Sequence, residues 1–285
     1  MPTLDVKGVS LFYEDGGSGQ ALVLSHGIPT DYRAWTAQVG PFSKVRRVVY
    51  YSRRYAYPNT RQGNVTDSTI QSNTEDLGGL VERLGLGPID LLGHSYGGFL
   101  AANLAVQHPE LVRSLTLVEP AISTLLLEDE GSTVEALSLL LRSPSVALSA
   151  RRFVTEFLRP SLKALDAGQT ERAVELNVDG VQDRPGSFQA MAEPQRKMML
   201  DNARTIAELR TSFPPFKAQI SKVSCKTLVV NGERSAPWLK RIGELAASSI
   251  PNAQHRVVPG ARHFPHMENA PEFNRLVLDF LAATA

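Results

Sequence analysis

The feature that most constrains this chain is the pentapeptide Gly93-His94-Ser95-Tyr96-Gly97, which lies between an apolar run and a stretch of small residues. The apolar run 89–92 predicts a buried strand, and the glycines and alanines that follow predict a closely packed helix. Glycines on both sides of a serine fit a tight, strained turn where larger side chains would clash with backbone. Such a turn presents Ser95 at a helix N-terminus, where backbone N–H groups favour negative charge. This G-x-S-x-G pattern in its strand–turn–helix context predicts a nucleophilic serine.

Short apolar segments alternate with helical patterns on both sides of this turn. We predict strands over residues 4–14 (as one or two), 21–25, 45–51, 89–92, 115–118, 227–230 and 255–258. We predict helices over residues 31–39, 68–84, 96–107, 238–249 and 271–282. Strands separated by helices favour a mostly parallel sheet that is covered on both faces, so the predicted fold class is α/β.

The alternation stops between residues 122 and 212, where we find no strand pattern. Helical patterns occur there at 146–158, 170–177 and 188–201, and proline breakers stand at Pro144, Pro160, Pro185 and Pro194. We therefore predict a core formed by residues 1–121 and 213–285, with a helical lid inserted over residues 122–212. Packing helices with no gating role are the alternative.

Composition excludes several classes of partner. The chain has 285 residues, 42% of them apolar, and a net charge of +1, which favours neither nucleic acid nor an anionic membrane surface. A lone Cys225 cannot form an intramolecular disulfide, and no signal peptide or membrane span is visible, so we expect a cytoplasmic protein. Without zinc-ligand spacing, a Walker loop or a dinucleotide fingerprint, we expect no metal and no cofactor. The expected partner is a small-molecule substrate, and a homodimer is left open.

A serine hydroxyl needs a base within hydrogen-bond reach to act as a nucleophile at neutral pH. Of the six histidines, His263 follows the last predicted strand and is expected at the carboxyl edge of the sheet, where Ser95 also emerges. His94 neighbours the serine and is expected to point away from it. We expect His266 at the surface or behind His263.

Five segments of the chain resemble the α/β-hydrolase fold superfamily. They are Leu24-Ser25-His26-Gly27, Gly93–Gly97, Leu117–Pro120, Gly232-Glu233 and Pro259–His263. The resemblance implies a mostly parallel eight-stranded sheet, with the helical lid inserted after the sixth strand over the active site. It also implies that the backbone N–H groups of Ile28 and Tyr96 form the oxyanion hole.

Two residues are candidates for the third member of the catalytic group, Glu119 and Glu233. Superfamily members often carry an aspartate a few residues after the seventh strand, but this chain has Ser235 there, which cannot hold a charge. A second arrangement known in the superfamily places the acid at the end of the sixth strand, where Glu119 stands. A carboxylate at that strand end would accept a hydrogen bond from His263 and stabilise the imidazolium. We favour Glu119 and keep Glu233 as the alternative.

Trp35, Tyr51 and His94 are candidate pocket residues, with plain packing as the alternative for the two aromatic residues. The apolar character of the insertion favours a small to medium apolar substrate. The sequence therefore predicts a serine hydrolase that cleaves a carboxylic ester or lactone through an acyl-enzyme. The alternatives are a C–C bond hydrolase, or a cofactor-free lyase or cyclase of secondary metabolism, that uses the same residues, and a hydrolase-like ligand-binding protein.

Overall fold

The computed structural model describes residues 2–59, 65–129, 131–211 and 213–284. The strands in these ranges are β1 Thr3–Val6, β2 Val9–Gly17, β3 Ala21–Ser25, β4 Arg47–Tyr51, β5 Ile89–His94, β6 Val112–Val118, β7 Lys226–Gly232 and β8 Gln254–Val258. The core helices are α1 Thr36–Phe42, α2 Ile70–Arg83, α3 Tyr96–Gln107, α10 Pro237–Ser249, α11 Pro265–Glu268 and α12 Ala270–Ala283. The helices between β6 and β7 are α4 Thr133–Arg142, α5 Pro144–Arg152, α6 Arg159–Asp166, α7 Thr170–Val181, α8 Ser187–Ala190 and α9 Glu193–Asp201.

The strands form one sheet in the order β1-β2-β4-β3-β5-β6-β7-β8. Strand β2 runs antiparallel to β1 and β4, and all pairs from β4 to β8 are parallel. This confirms the predicted eight-stranded, mostly parallel sheet within the described residues. Because the parallel strands share one direction, the segments that follow β3, β5, β6, β7 and β8 all leave the sheet at the same edge.

The sheet buries an apolar layer on each face. Leu22 and Leu24 of β3 pack on one face with Phe42 of α1 and Phe273 of α12, while Val23 joins the core of α2 and α3 on the other face. This division follows the two-residue side-chain period of a strand. Helix α3 is buried from Tyr96 to Ala105, so the turn in front of it is fixed by packing.

The structure corrects several predicted helix boundaries. Residues 31–39 contain a 3₁₀ turn, Tyr32–Trp35, before α1 begins. Residues 188–201 form two helices, because Met191 is extended and a proline lies in the first turn of α9. Pro160 does not end a helix: α5 continues into α6 through a π-helical segment, Phe153–Leu158, which lies just before the proline.

Among the helices in the ranges that the structure describes, none has both the length and the apolar character that crossing a bilayer requires.

Candidate active site

The turn that carries Ser95 has the strained geometry that the sequence predicted. Ser95 has φ of 53° and ψ of −118°, and its backbone N–H donates to the carbonyl oxygen of Val118 over 2.9 Å. A Cβ atom on Gly97 would lie 2.3 Å from the carbonyl oxygen of Ser25, and one on Gly93 would lie 2.3 Å from that of Gly97. Both glycines are therefore required by close backbone approach rather than by flexibility alone.

The side chains of Ser95 and His263 meet at this edge of the sheet. The distance between Ser95 Oγ and His263 Nε2 is 3.0 Å, and both residues are buried. His263 lies in the loop between β8 and α11. Two contacts fix its backbone: its N–H donates to Oε1 of Gln182 over 3.0 Å, and its carbonyl oxygen accepts from Nε2 of His94 over 2.8 Å.

Glu119 lies behind the imidazole. Its Oε2 is 3.4 Å from Nδ1 of His263, and the residue is fully buried with φ of 46°. Its Oε1 accepts hydrogen bonds from Asn231 Nδ2 at 2.9 Å, Gly232 N at 2.7 Å and Ser235 Oγ at 2.7 Å. Because a carboxylate can only accept, this geometry places the imidazole proton on Nδ1 and leaves Nε2 to accept from a serine hydroxyl.

The alternative acid, Glu233, lies elsewhere. It is exposed, and its Oε2 accepts a hydrogen bond from the backbone N–H of Gly260 over 2.7 Å. Its role in the structure is to hold the turn that follows β8. The structure thus brings Glu119, and not Glu233, to the imidazole of His263.

The loop after β3 passes directly against the serine. A Cβ atom on Gly27 would lie 2.9 Å from Cβ of Ser95. Ile28, the next residue, lines the same cavity as Tyr96, Ser95 and His263. The backbone N–H groups of Ile28 and Tyr96 belong to the two segments beside the serine, which is where donors to a developing oxyanion would be needed.

A cavity of about 350 Å³ lies above Ser95 and His263. Most of its wall is apolar. The segment between β6 and β7 contributes Leu126, Leu127, Leu139, Ala150, Phe153, Val154, Leu158, Val181, Leu209 and Phe213, and α10 contributes Trp238. Its polar lining residues, apart from Ser95 and His263, are Ser123, Arg159, Asn177 and Thr211. The cavity suits a small to medium ligand with a largely apolar body.

The structure corrects the three proposed pocket residues, which lie in the packed interior rather than on this wall. Trp35 is fully buried, with its ring 4.8 Å from that of His266. Tyr51 is also fully buried, its hydroxyl lies 3.3 Å from Ser25 Oγ, and burial raises its pKa to about 12. His94 does not line the cavity, and its Nε2 donates to the backbone oxygen of His263. Tyr51 and His94 start from strands β4 and β5, Trp35 starts from the 3₁₀ turn before α1, and all three side chains pack in the core.

A group of buried histidines surrounds the base. His26, His94 and His266 are fully enclosed, and burial lowers the pKa of each, that of His266 to about 3. His266 therefore lies behind His263 and not at the surface. No cluster of three or more potential metal ligands occurs in the described ranges. Neutral imidazoles packed in this way serve as interior side chains.

Comparisons with known proteins agree with this architecture. A family model described as alpha/beta hydrolase fold matches residues 20–270. The chain is 26% identical over 286 residues to a 2-hydroxy-6-oxononadienedioate/2-hydroxy-6-oxononatrienedioate hydrolase of Comamonas testosteroni, covering 98% of this chain and 95% of that protein. It is 28% identical over 284 residues to a 2-hydroxymuconate semialdehyde hydrolase of Pseudomonas putida, covering 94% and 89%. The solved enol-lactonase of Burkholderia xenovorans LB400 shares the fold, with a TM-score of 0.66, 21% identity and coverage of 99% and 100%.

Proposed function

The chain belongs to the α/β-hydrolase fold family, and from this premise we propose that it is a serine hydrolase that cleaves a carboxylic ester or lactone through an acyl-enzyme. The observation that carries the proposal is the 3.0 Å contact between Ser95 Oγ and His263 Nε2, with Glu119 on the far side of the imidazole. This arrangement lies on the wall of an apolar cavity large enough for a small substrate.

The reaction proceeds in two stages. Ser95 attacks the carbonyl carbon while His263 takes its proton, and the backbone N–H groups of Ile28 and Tyr96 stabilise the oxyanion by about 3 kcal/mol each. His263 then protonates the departing alkoxide, or the ring oxygen in a lactone. A water molecule, deprotonated by the same imidazole, releases the acid and restores Ser95.

Glu119 orients His263 and stabilises the imidazolium that forms twice in each cycle. Three donors converge on its Oε1, so the carboxylate is held in one orientation while Oε2 faces His263. The acid therefore acts on the base by orientation and charge and does not contact the substrate.

The test is hydrolysis of short p-nitrophenyl esters and of aliphatic lactones, together with labelling by a fluorophosphonate. We expect turnover by the native protein, a label on Ser95, and a loss of about 10⁴-fold or more in S95A. Ser123 lines the same cavity, so S123A is the matched control and should keep its activity within about threefold, as expected for a residue outside the reacting group. An unlabelled native protein that hydrolyses none of these compounds would refute the proposal.

A second candidate is hydrolysis of a C–C bond in a 2-hydroxy-6-oxo-dienoate by the same residues. Two observations favour it: the relatives from Comamonas testosteroni and Pseudomonas putida bear names of this kind, and Arg159 supplies the cavity with a cation that suits a carboxylate. Loss of the dienol absorbance on mixing would support this reaction, and R159Q should then raise KM. An enzyme limited to esters and lactones leaves the absorbance unchanged.

A further inference from the structure

We propose that Asn177 is a specificity residue and that the substrate carries a hydroxyl group, which binds the side-chain amide of Asn177. This inference rests on the proposed function and adds a feature of the substrate. Asn177 lies on α7, lines the cavity that Ser95 and His263 also line, and is only 1% exposed. Neither its Oδ1 nor its Nδ2 has a hydrogen-bond partner among the residues that the structure describes.

Such an unpartnered amide is costly. A buried donor or acceptor without a partner costs about 1–3 kcal/mol, and nearly all buried polar groups in folded proteins are paired. The other buried side chains on this part of α7 are mainly apolar, including Ala173, Val174, Val178 and Val181. Helix packing therefore does not account for an asparagine here, whereas a ligand in the adjoining cavity would supply its partners.

The two free atoms of Asn177 specify the ligand chemistry. Oδ1 needs a donor and Nδ2 needs an acceptor, and both are attached to one carbon atom. A hydroxyl oxygen can donate to Oδ1 and accept from Nδ2 at once, closing a small ring of two hydrogen bonds. Carboxylates, ketones and ethers only accept, and a trans secondary amide presents its donor and acceptor on opposite sides.

The other polar residues of the cavity differ from Asn177 in the ligand groups that they could bind. Thr211 also lines the cavity, but its hydroxyl already donates to the backbone oxygen of Glu208 over 2.8 Å. Arg159 is exposed and suits a charged group. The substrate class that fits is therefore an ester or lactone with an apolar body that carries one hydroxyl at the depth of Asn177.

The experiment compares ethyl octanoate with ethyl hydroxyoctanoates and hydroxyalkyl acetates in which the hydroxyl moves stepwise along the chain. Each hydroxylated compound is paired with its methyl ether, which only accepts. We expect one position to raise kcat/KM of the native protein at least about tenfold over the parent and the ether, since a site built for a hydroxyl rejects analogues that lack it.

The variant N177L removes both polar atoms at similar volume. It should reduce that preference to within about twofold, because kcat/KM falls more for the hydroxylated ester than for the unsubstituted one, and it should melt no earlier, because no unpaired amide remains. T211V is the matched control and should keep the preference. If the leucine variant fails to fold, N177M serves as the second variant, with the same expected loss.

Binding measured by calorimetry on S95A separates this inference from the proposed hydrolysis. The preferred hydroxylated ester should bind S95A at least about tenfold more tightly than its ether, and S95A/N177L should lose the difference. Absence of ester turnover with this binding preference intact would refute the hydrolytic function alone. A native protein without any hydroxyl preference in either assay, or a preference that persists in N177L, would overturn the role of Asn177.

Discussion

The hydroxyl of Ser235 donates a hydrogen bond to Oε1 of Glu119 over 2.7 Å. Ser235 stands where the superfamily resemblance would place an aspartate, after β7, and Glu119 stands after β6. These strands are parallel neighbours, with Val118 paired to Val230, so both strand ends lie beside the same imidazole. In this chain the carboxylate follows the neighbouring strand β6, and the position after β7 supplies a hydrogen-bond donor that orients it.

Replacing this donor should weaken the proposed base without removing it. S235A takes away one of three hydrogen bonds to a buried carboxylate, and a bond to a charged group is worth about 1.5–3 kcal/mol. We expect S235A to unfold at a lower urea concentration. We also expect kcat to fall by about tenfold, because a loss of about 1.4 kcal/mol in stabilisation of the transition state corresponds to a tenfold change in rate. Unchanged kcat in S235A would contradict a supporting role.

Replacing Glu119 tests the acid itself. In E119Q the amide cannot stabilise the imidazolium, and we expect kcat to fall by about 10²–10⁴-fold, as for the loss of charge at this position in a serine–histidine–acid group. The matched control is E233Q, because Glu233 is exposed and bonded to the N–H of Gly260. Steady-state kinetics of the two variants should differ by at least about tenfold, and equal losses would reject the assignment of Glu119.

The two strand ends should also be interchangeable. The double variant E119Q/S235D restores a carboxylate at the position after β7, beside the same imidazole. We expect it to regain at least about tenfold in kcat over E119Q, because an acid there satisfies the same requirement for charge. The single variant S235D places two carboxylates together, so one is expected to titrate above its ordinary range and to disturb the pH profile of kcat.

The buried histidines predict a decline of stability in acid. Burial lowers the pKa of His26, His94 and His266 in the folded protein, whereas the pKa of each histidine in the unfolded chain is about 6.5. The unfolded chain therefore binds more protons below that pH. The free energy of unfolding should be constant above about pH 6.5 and fall below it by about 1.4 kcal/mol per pH unit for each histidine. Urea titrations between neutral and mildly acidic pH measure this slope.

His266 offers the control for this slope. Both of its ring nitrogens are buried without a hydrogen-bond partner among the described residues, and its ring packs against Trp35. H266F should keep the packing and remove one titrating group, so the acid dependence becomes shallower by about 1.4 kcal/mol per pH unit. An unchanged slope in H266F would show that His266 is not among the groups responsible.

The buried ion pair between Arg53 and Glu208 joins the loop after β4 to the end of the helical insertion. Both side chains are almost fully enclosed, and the Arg53 guanidinium lies 4.6 Å from the ring centroid of Tyr96. Because removal of one partner leaves a buried charge, R53M or E208Q should each lower the free energy of unfolding by about 3–5 kcal/mol. The double variant R53M/E208L should lose less than the sum of the two, as a urea double-mutant cycle would show.

The sequence carried enough information for the fold class and for the positions of the strands along the chain, because period, turn chemistry and the glycine-flanked serine are local signals. It also indicated His263 through its place after the last strand. The ends of the helices inside the insertion were harder to predict from the sequence. Proline is typical of a helix break in sequence, but at Pro160 the helix continues, with a π-helical segment just before the proline.

Residues that support the site from a distance carried no such signal. Gln182 follows α7, whereas Asn231 and Ser235 lie at the end of β7 and just after it, and only tertiary packing brings their polar atoms to His263 and Glu119. Asn177 lies at helical spacing from Ala173, Val174 and Val181, so periodicity places it on the buried face of α7, but the sequence does not indicate that this face lines a cavity. The aromatic residues Trp35 and Tyr51 were placed near the site in sequence, but distance along the chain does not indicate which side of a turn faces a cavity.

The carboxamide of Gln182 has a mechanical consequence. It accepts from the backbone of His263 and donates to Glu268 over 2.8 Å, so the end of α7 is clamped to the segment that carries the imidazole. If the entire insertion moved away each time the active site opened, the hydrogen bonds from Gln182 to the segment that carries His263 would break. We therefore expect entry to be controlled by α4, which has no buried residue, while the α7 end stays docked during turnover. The part of the insertion around α4 would then open for substrate entry, and the part around α7 would remain a fixed wall of the active site.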